Sequence, residues 1–238
     1  MQRYRRTQAI YAMTFDLDDT LYDNHPVIER VEQKMVVWLH THHPDSQKLT
    51  LEQWHQIKCD VAKEDPRLYH DVSRWRHTQI VHGLFLLGYT QTAAIQAAND
   101  GMAHALWWRN QVEVPELTHQ VLSQLAQKFP LVAITNGNVD VQAIGLESYF
   151  TRVLRAGPDG KAKPHGDLFH QAQKILQQPA QHILHVGDHV ISDVQGAVAS
   201  GFQSCWFNDG PLSLSSHPQV RSLPDIEINQ LDELLTLL

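Results

Sequence analysis

Four short apolar runs, each stopping at a group that can bind or react, limit what this chain can fold into. Ile10 to Phe15 stops at Asp16, and Leu131 to Thr135 stops at Asn136-Gly137. His182 to Val186 stops at Gly187-Asp188, and Phe202 to Phe207 stops at Asn208-Asp209-Gly210. A weaker run, Arg152 to Arg155, stops at Ala156-Gly157. Short apolar runs of this kind read as strands buried on both faces of a parallel sheet. Helical patterns separate them. Glu116 to Lys128 carries a stripe at Leu117, Val121, Leu122 and Leu125, and Asp167 to Leu176 and Ser192 to Ser200 are spaced likewise. Strand alternating with helix predicts an α/β fold, a Rossmann-like parallel sheet core. Ligands of such sheets collect outside the carboxyl ends of the strands, where these polar residues fall.

Residues 23–113 break that rhythm. They are rich in helix formers and carry no strand pattern. Val27 to His40, Leu51 to Lys63, Val72 to Leu87 and Gln91 to Asn110 read as four helices, the third closed by Gly88. An all-helical block inserted after the first strand reads as a cap domain over the active site, hinged near Tyr22–Pro26 and Val112–Pro115. The expected organisation is a core of 1–22 and 114–238 with a helical cap of 23–113. Asp209 to Pro224 reads as a Ser/Pro-rich loop and Leu231 to Leu238 as a closing helix.

Composition removes several functional classes. The 238 residues hold 19 Lys plus Arg and 26 Asp plus Glu, a balance of 19 − 26 = −7, whereas a nucleic-acid binder presents a basic face. Cys59 and Cys205 form no CxxC pattern and read as buried thiols of a reducing compartment. No apolar run reaches the length of a membrane span, and the basic start Met1–Arg6 is not followed by a cleavable apolar segment. The protein is therefore expected in the cytoplasm, with neither membrane nor nucleic acid as partner; no sequence feature fixes an oligomeric state. His40, His42 and His43 cluster, but without an HxxxH or Cys partner they read as solvated rather than as zinc ligands.

The chemistry centres on Asp16 and Asp18. Two acids two residues apart just past a strand end would repel one another if buried without compensation. A divalent cation and a phosphate compensate them, because Mg²⁺ takes oxygen ligands from one or two carboxylates plus substrate phosphate. The plain alternative is a solvated acidic turn, which Asp19 and Asp23 make conceivable. Thr135 and Asn136 offer a hydroxyl, an amide and backbone N–H groups to a phosphate, or else form a turn. Lys163 offers a charge that offsets the acids and stabilises a phosphoryl group; Lys161 competes for that role, and Pro164 favours Lys163. Asp188 and Asp193 are further metal-directed carboxylates, Asp193 doubling as a possible helix cap. In the helical block, Arg74 and Arg76, with Tyr69 and His70, could reach an anionic substrate, although both arginines also fit a solvated helix face.

Asp16–Thr20, Thr135–Asn136, Lys163–Pro164 and Gly187–Asp193, in this order, resemble the four motifs of the haloacid dehalogenase-like hydrolase superfamily, in members with a helical cap. The resemblance implies that Asp16 is a nucleophile forming an aspartyl-phosphate, and that Asp18 protonates the leaving alcohol and then activates water. It implies that Asp16, the Asp18 carbonyl and Asp188 hold Mg²⁺, with Asp193 supporting the metal through water or Lys163. Thr135 and Asn136 would bind the phosphoryl group, and Lys163 would orient it. Only His189 departs from the pattern, standing where small or acidic residues are common. Over its full length the chain is similar to a bacterial branch of phosphatases acting on 5-amino-6-(5-phospho-D-ribitylamino)uracil, an intermediate of riboflavin biosynthesis, and on FMN. The segments carrying this likeness are Thr14–Asn24, Tyr69–Arg76, Val132–Asn138 and Leu154–Pro158. The expected substrate is thus a small phosphorylated metabolite. Rival readings are a phosphatase of broad or sugar-phosphate specificity, a phosphoglucomutase, a phosphonate hydrolase using Lys34, Lys58 or Lys63, a haloacid dehalogenase, and a binding protein that kept the fold without chemistry. Asp18 argues against the dehalogenase, and the retained Asp16, Asp18 and Lys163 argue against the binding protein.

Overall fold

The computed structural model describes residues 1–210 and 221–238. Among the described residues the strands are β1 (Gln2–Arg3), β2 (Ala12–Phe15), β3 (Leu131–Thr135), β4 (Arg152–Arg155), β5 (Ile183–Gly187), β6 (Gln203–Phe207) and β7 (Ile226–Ile228). The helices are α1 (His25–His42), α2 (Leu51–Glu64), α3 (Val72–Leu86), α4 (Gln91–Arg109), α5 (Glu116–Lys128), α6 (Asp167–Leu176) and α7 (Gly196–Ala199). The chain divides into two compact units, one of Met1–Asp23 with Glu113–Leu238 and one of Asn24–Val112.

The first unit is an α/β sheet in the order β1-β7-β6-β5-β2-β3-β4, parallel throughout except for β1 against β7. From β2 the chain adds β3 and β4 on one side, then crosses to add β5, β6 and β7 on the other. The order therefore reverses between β2 and β5, the switch point at which doubly wound sheets bind ligands. All residues of β2, β3 and β5 are buried, which is why these strands read as continuous apolar runs rather than alternating ones. Ala12, Val132, Ile134, Leu154 and Ile183 of the sheet pack with Leu168, Phe169, Ala172 and Leu176 of α6. Burial of each larger side chain contributes roughly 1.5–3 kcal/mol.

The second unit is all helical. Val31, Met35 and Leu39 of α1, Trp54, Ile57 and Val61 of α2, Ile80 and Leu84 of α3, and the alanines 94, 97, 98 and 105 of α4 share one core. Short side chains on α4 allow its neighbours to approach closely. Each start is chemically marked: Pro26 lies in the first turn of α1, and Thr50 and Gln53 form a reciprocal capping box on α2. Asp71 accepts from Arg74 N on α3, and Thr90 from Ala93 N on α4. Gly88, at φ +92°, ends α3 in a Schellman motif: its N–H donates to Phe85 O and that of Tyr89 to Leu84 O.

Several expectations are corrected. The expected helix Ser192–Ser200 begins as a π-helical turn over Val190–Gln195 and becomes α-helical only at Gly196. The closing segment Leu231–Leu237 is a 3₁₀ helix. Met1–Arg6 contributes the antiparallel edge strand β1, and β7 had no apolar run long enough to mark it. Cys59 is only partly buried, whereas Cys205 is buried; both thiols are free. Of the expected loop Asp209–Pro224, residues 211–220 lie outside the described residues. No helix among the described residues is long and apolar enough to cross a membrane.

Candidate active site

Register brings the acids together. Phe15 lies beside Val186 across the β2–β5 pair, and Asp16 N donates to Val186 O at 2.9 Å, so the two strands end side by side on Asp16 and Asp188. Beyond Asp16 the chain turns tightly. Asp19 takes φ 57°, and the N–H of Leu21 returns to Leu17 O at 2.9 Å. Tyr22 OH donates to Asp18 Oδ1 at 2.6 Å, which fixes the second acid of the pair. Thr20 Oγ1 donates to Asp188 Oδ1 at 3.3 Å and accepts from Asp188 N at 3.1 Å. Trp206 Nε1 donates to Asp188 O at 2.7 Å.

Lys163 is 3% exposed, and its Nζ lies 2.9 Å from Asp16 Oδ1 and 2.6 Å from Asp193 Oδ1. Lys161, the competing candidate, is exposed, so burial decides between the two lysines. Asn136 clamps the Lys163 main chain: its Nδ2 donates to Lys163 O at 3.0 Å and its Oδ1 accepts from Lys163 N at 2.8 Å. This engages Oδ1 and one of the two Nδ2 hydrogens of Asn136. Thr135 Oγ1 accepts from Gly137 N at 2.9 Å, which leaves its own proton for another acceptor.

Asp193 is buried and surrounded by donors. Oδ1 meets Lys163 Nζ and His185 Nε2, the latter at 3.0 Å, and Oδ2 accepts from His189 N at 3.0 Å. The N-cap of the π turn is His189, not Asp193, which lies inside the turn. Asp193 binds the backbone of His189, while the His189 ring accepts from Ile191 N and Ser192 N at the start of the π turn. Gly187 makes room for this carboxylate: a Cβ there would lie 2.3 Å from Asp193 Cγ.

Asp16, Asp188 and Asp193 place ligand oxygens within 4.8 Å of one another. With Lys163 the cluster carries 1 − 3 = −2, the charge a divalent cation cancels. Burial pushes Asp16 well above the usual carboxylate range, against the pull of Lys163. Burial, with Asp193 and Asp19, raises Asp188 to about 7. Burial also opposes the charge of Asp193, yet Lys163 and His185 hold it below the ordinary range. Lys163 is raised: Asp16 and Asp193 outweigh its desolvation. Asp16 Oδ1 is buried, and the Lys163 ammonium meets it at 2.9 Å. An all-oxygen donor set with two excess negative charges fits Mg²⁺.

Arg74 and Arg76 lie in the helical unit on α3. Arg74 pairs with Asp65 at 3.0 Å and Arg76 pairs with Glu32. Trp75 is partly buried against the helical core and donates to Lys58 O at 2.7 Å. Thr20, Tyr22 and His185 received no role from sequence. A signal existed for His185, a titratable side chain inside an apolar strand; Tyr22 carried none.

Known proteins share this fold. The haloacid dehalogenase-like hydrolase family matches residues 10–201. The 5-amino-6-(5-phospho-D-ribitylamino)uracil phosphatase YigB of Escherichia coli (strain K12) is 42% identical over 238 residues, covering 100% of both chains. A crystal structure of 2-haloacid dehalogenase from Pseudomonas syringae pv. Tomato DC3000 superposes with a TM-score of 0.90 at 34% identity, over 96% of this chain and 97% of the other. A magnesium-bound structure of YfnB from Bacillus subtilis shares the fold at a TM-score of 0.63 and 22% identity, over 97% and 99%.

Proposed function

The chain belongs to the haloacid dehalogenase-like hydrolases, and from that membership we propose that it is a Mg²⁺-dependent phosphatase working through an aspartyl-phosphate on Asp16. The observation that carries this reading is the contrast between two carboxylates sharing one lysine. Asp193 has three donors and spends its lone pairs on them. Asp16 meets the Lys163 ammonium at the longer distance, 2.9 Å against 2.6 Å, and lacks the further donors that hold Asp193.

In the proposed reaction an Asp16 carboxylate oxygen bonds to phosphorus as the ester P–O bond breaks, and Asp18 gives its proton to the departing alkoxide. The Asp18 carboxylate then takes a proton from a water that attacks phosphorus, which releases phosphate and restores Asp16. Tyr22 holds Asp18 in place for both transfers. Lys163 offsets charge throughout, with Asn136 fixing its backbone and the Thr135 hydroxyl donating to a phosphoryl oxygen. Asp16, Asp188 and the Asp18 carbonyl would hold Mg²⁺, with Asp193 supporting it behind Lys163; the ion supplies charge neutralisation of the phosphoryl oxygens.

The substrate we propose is a small phosphorylated metabolite, most specifically 5-amino-6-(5-phospho-D-ribitylamino)uracil, with FMN as a second substrate; the YigB relative supports this choice. The helical unit is assigned the selection of substrate, with Arg74 and Arg76 as its anion-directed groups, and the enzyme is placed in the cytoplasm. The Pseudomonas neighbour favours a second reading, dehalogenation of a 2-haloacid. Asp18 weighs against it, since halide departs without a proton. Phosphate release across a panel of the uracil substrate, FMN, nucleotides and sugar phosphates, beside halide release from 2-chloropropionate, separates the readings. Preference for an unrelated sugar phosphate by orders of magnitude rejects the riboflavin assignment, and metal-independent halide release rejects the phosphatase.

A further inference from the structure

Behind the acids runs a buried polar chain that the proposed reaction does not use. Register sets Thr14 of β2 beside His185 of β5, and both residues are fully buried. Thr14 Oγ1 and His185 Nδ1 are 2.8 Å apart, and His185 Nε2 is 3.0 Å from Asp193 Oδ1. Phe169 packs its ring edge-on to the imidazole at 5.0 Å, so the ring cannot rotate freely. A buried imidazole inside a sheet core costs free energy unless both nitrogens are matched, and here both are.

The chemistry of the partners fixes the proton. Asp193 is an acceptor only, so Nε2 carries the hydrogen and donates it. Nδ1 is then an acceptor, and the only proton Thr14 can offer it is the hydroxyl's. The donors therefore run Thr14 O–H to Nδ1 and Nε2–H to Asp193 Oδ1, and the Lys163 ammonium beside Asp16 donates to the same oxygen from the other side.

We propose that His185 is a positioning residue: held as the Nε2–H tautomer by Asp193 and anchored through Nδ1 by Thr14, it locks the Asp193 carboxylate in the orientation that sets Lys163 against Asp16. The inference rests on the phosphatase reading, since it assigns His185 an effect on a reaction at Asp16. Without this donor, Asp193 Oδ1 has Lys163 alone to satisfy it and is free to turn with the lysine away from Asp16. Burial also keeps the imidazole pKa below its usual value, in keeping with a neutral ring.

The test compares His185→Leu, His185→Gln, Thr14→Val and the Leu/Val double variant, assayed with para-nitrophenyl phosphate and Mg²⁺, with Asp16→Asn alongside and thermal unfolding of each. His185→Leu is expected to lower kcat roughly 10- to 100-fold, the usual cost of removing a partner behind a ligating group, with KM nearly unchanged. His185→Gln should recover most of that loss, because its amide N–H can donate to Asp193 while its carbonyl accepts from Thr14. Thr14→Val should lower kcat in the same direction, and the double variant should be no worse than His185→Leu. Nitrogen-15 NMR of the histidine rings, which needs no activity, should show His185 protonated on Nε2 in wild type and in Thr14→Val, with the Nδ1 resonance shifted in the variant by loss of its donor. Equal kcat for the Leu and Gln variants at equal melting temperature overturns the proposal, as does additivity of the two single effects or a proton on Nδ1. If His185→Leu does not fold, Thr14→Val and the NMR measurement decide alone. If His185→Leu is fully active while Asp16→Asn is dead, only this inference falls; if Asp16→Asn matches wild type, the phosphatase reading falls with it.

Discussion

Asp16 and Asp193 differ by a few tenths of an ångström in their distance to Lys163, and the side with more donors keeps the lysine. Asp16→Asn should therefore abolish turnover, by roughly a thousandfold or more in kcat, while Lys163 stays anchored to Asp193 and the fold persists; phosphate release and circular dichroism check this together. Gly187→Ala is a sharper probe of the same geometry. Its Cβ would enter the space of Asp193 Cγ, 2.3 Å away, so it should cost about 1–3 kcal/mol in stability and reduce kcat as well. A variant with wild-type stability and rate would show that Asp193 can move without consequence. At this scale the sequence marked Asp16, Lys163, Asp188 and Asp193, which the structure brings into one cluster, because charged residues beside buried strands need a reason to be there. It could not show that the Asn136 amide clamps the Lys163 main chain, since a side chain that serves backbone and one that serves ligand look alike in a sequence. Nor could it show the Thr14–His185 pair, which exists only because β2 and β5 share a register.

Elements were legible in proportion to their length and periodicity. Glu116–Lys128, Asp167–Leu176 and Leu131–Thr135 coincide with α5, α6 and β3, each a run with one clean period and a marked end. The π turn over Val190–Gln195 was not legible. It arises where His189, Asp193 and the His189 backbone bond reciprocally, a tertiary arrangement that hydrophobic spacing does not encode. Strands β1 and β7, of two and three residues, are too short to carry a pattern and are set by pairing with each other and with β6. Gly88 shows the opposite case, a boundary read from one residue because the αL position after α3 excludes side chains at little cost only for glycine. Gly88→Ala is expected to destabilise by about 1 kcal/mol in urea unfolding, with no effect on KM or kcat; an unchanged midpoint would show that the end of α3 relaxes.

For the whole molecule, the cluster of three acids and one lysine links stability to pH and metal. Without metal, Asp188 rises from 3.8 to about 7 on folding. The native form then binds more protons than the unfolded chain between those values, so this group's contribution to stability falls as pH rises through them. Mg²⁺ should reverse the trend by displacing protons, and at a hundredfold excess over its Kd it should add about 2.7 kcal/mol. The melting-temperature gain from Mg²⁺ is expected to be large at about pH 8 and small at about pH 5, because the ligands must ionise to bind; equal gains would mean that the ion binds elsewhere. Fold and family were visible early because four motifs occur in one order, three of them at strand ends, whereas the surface side chains of the helical unit, to which we assign substrate choice, follow no such constraint. The most direct test of the central claim is rapid acid quench of wild type and Asp18→Asn with phosphorus-32-labelled para-nitrophenyl phosphate, whose leaving group needs no proton, followed by peptide mass spectrometry. Label on the peptide bearing Asp16, accumulating further in Asp18→Asn because its water is not activated, is the expected result. Product release with no label on Asp16 in either protein, or label on another residue, would contradict it.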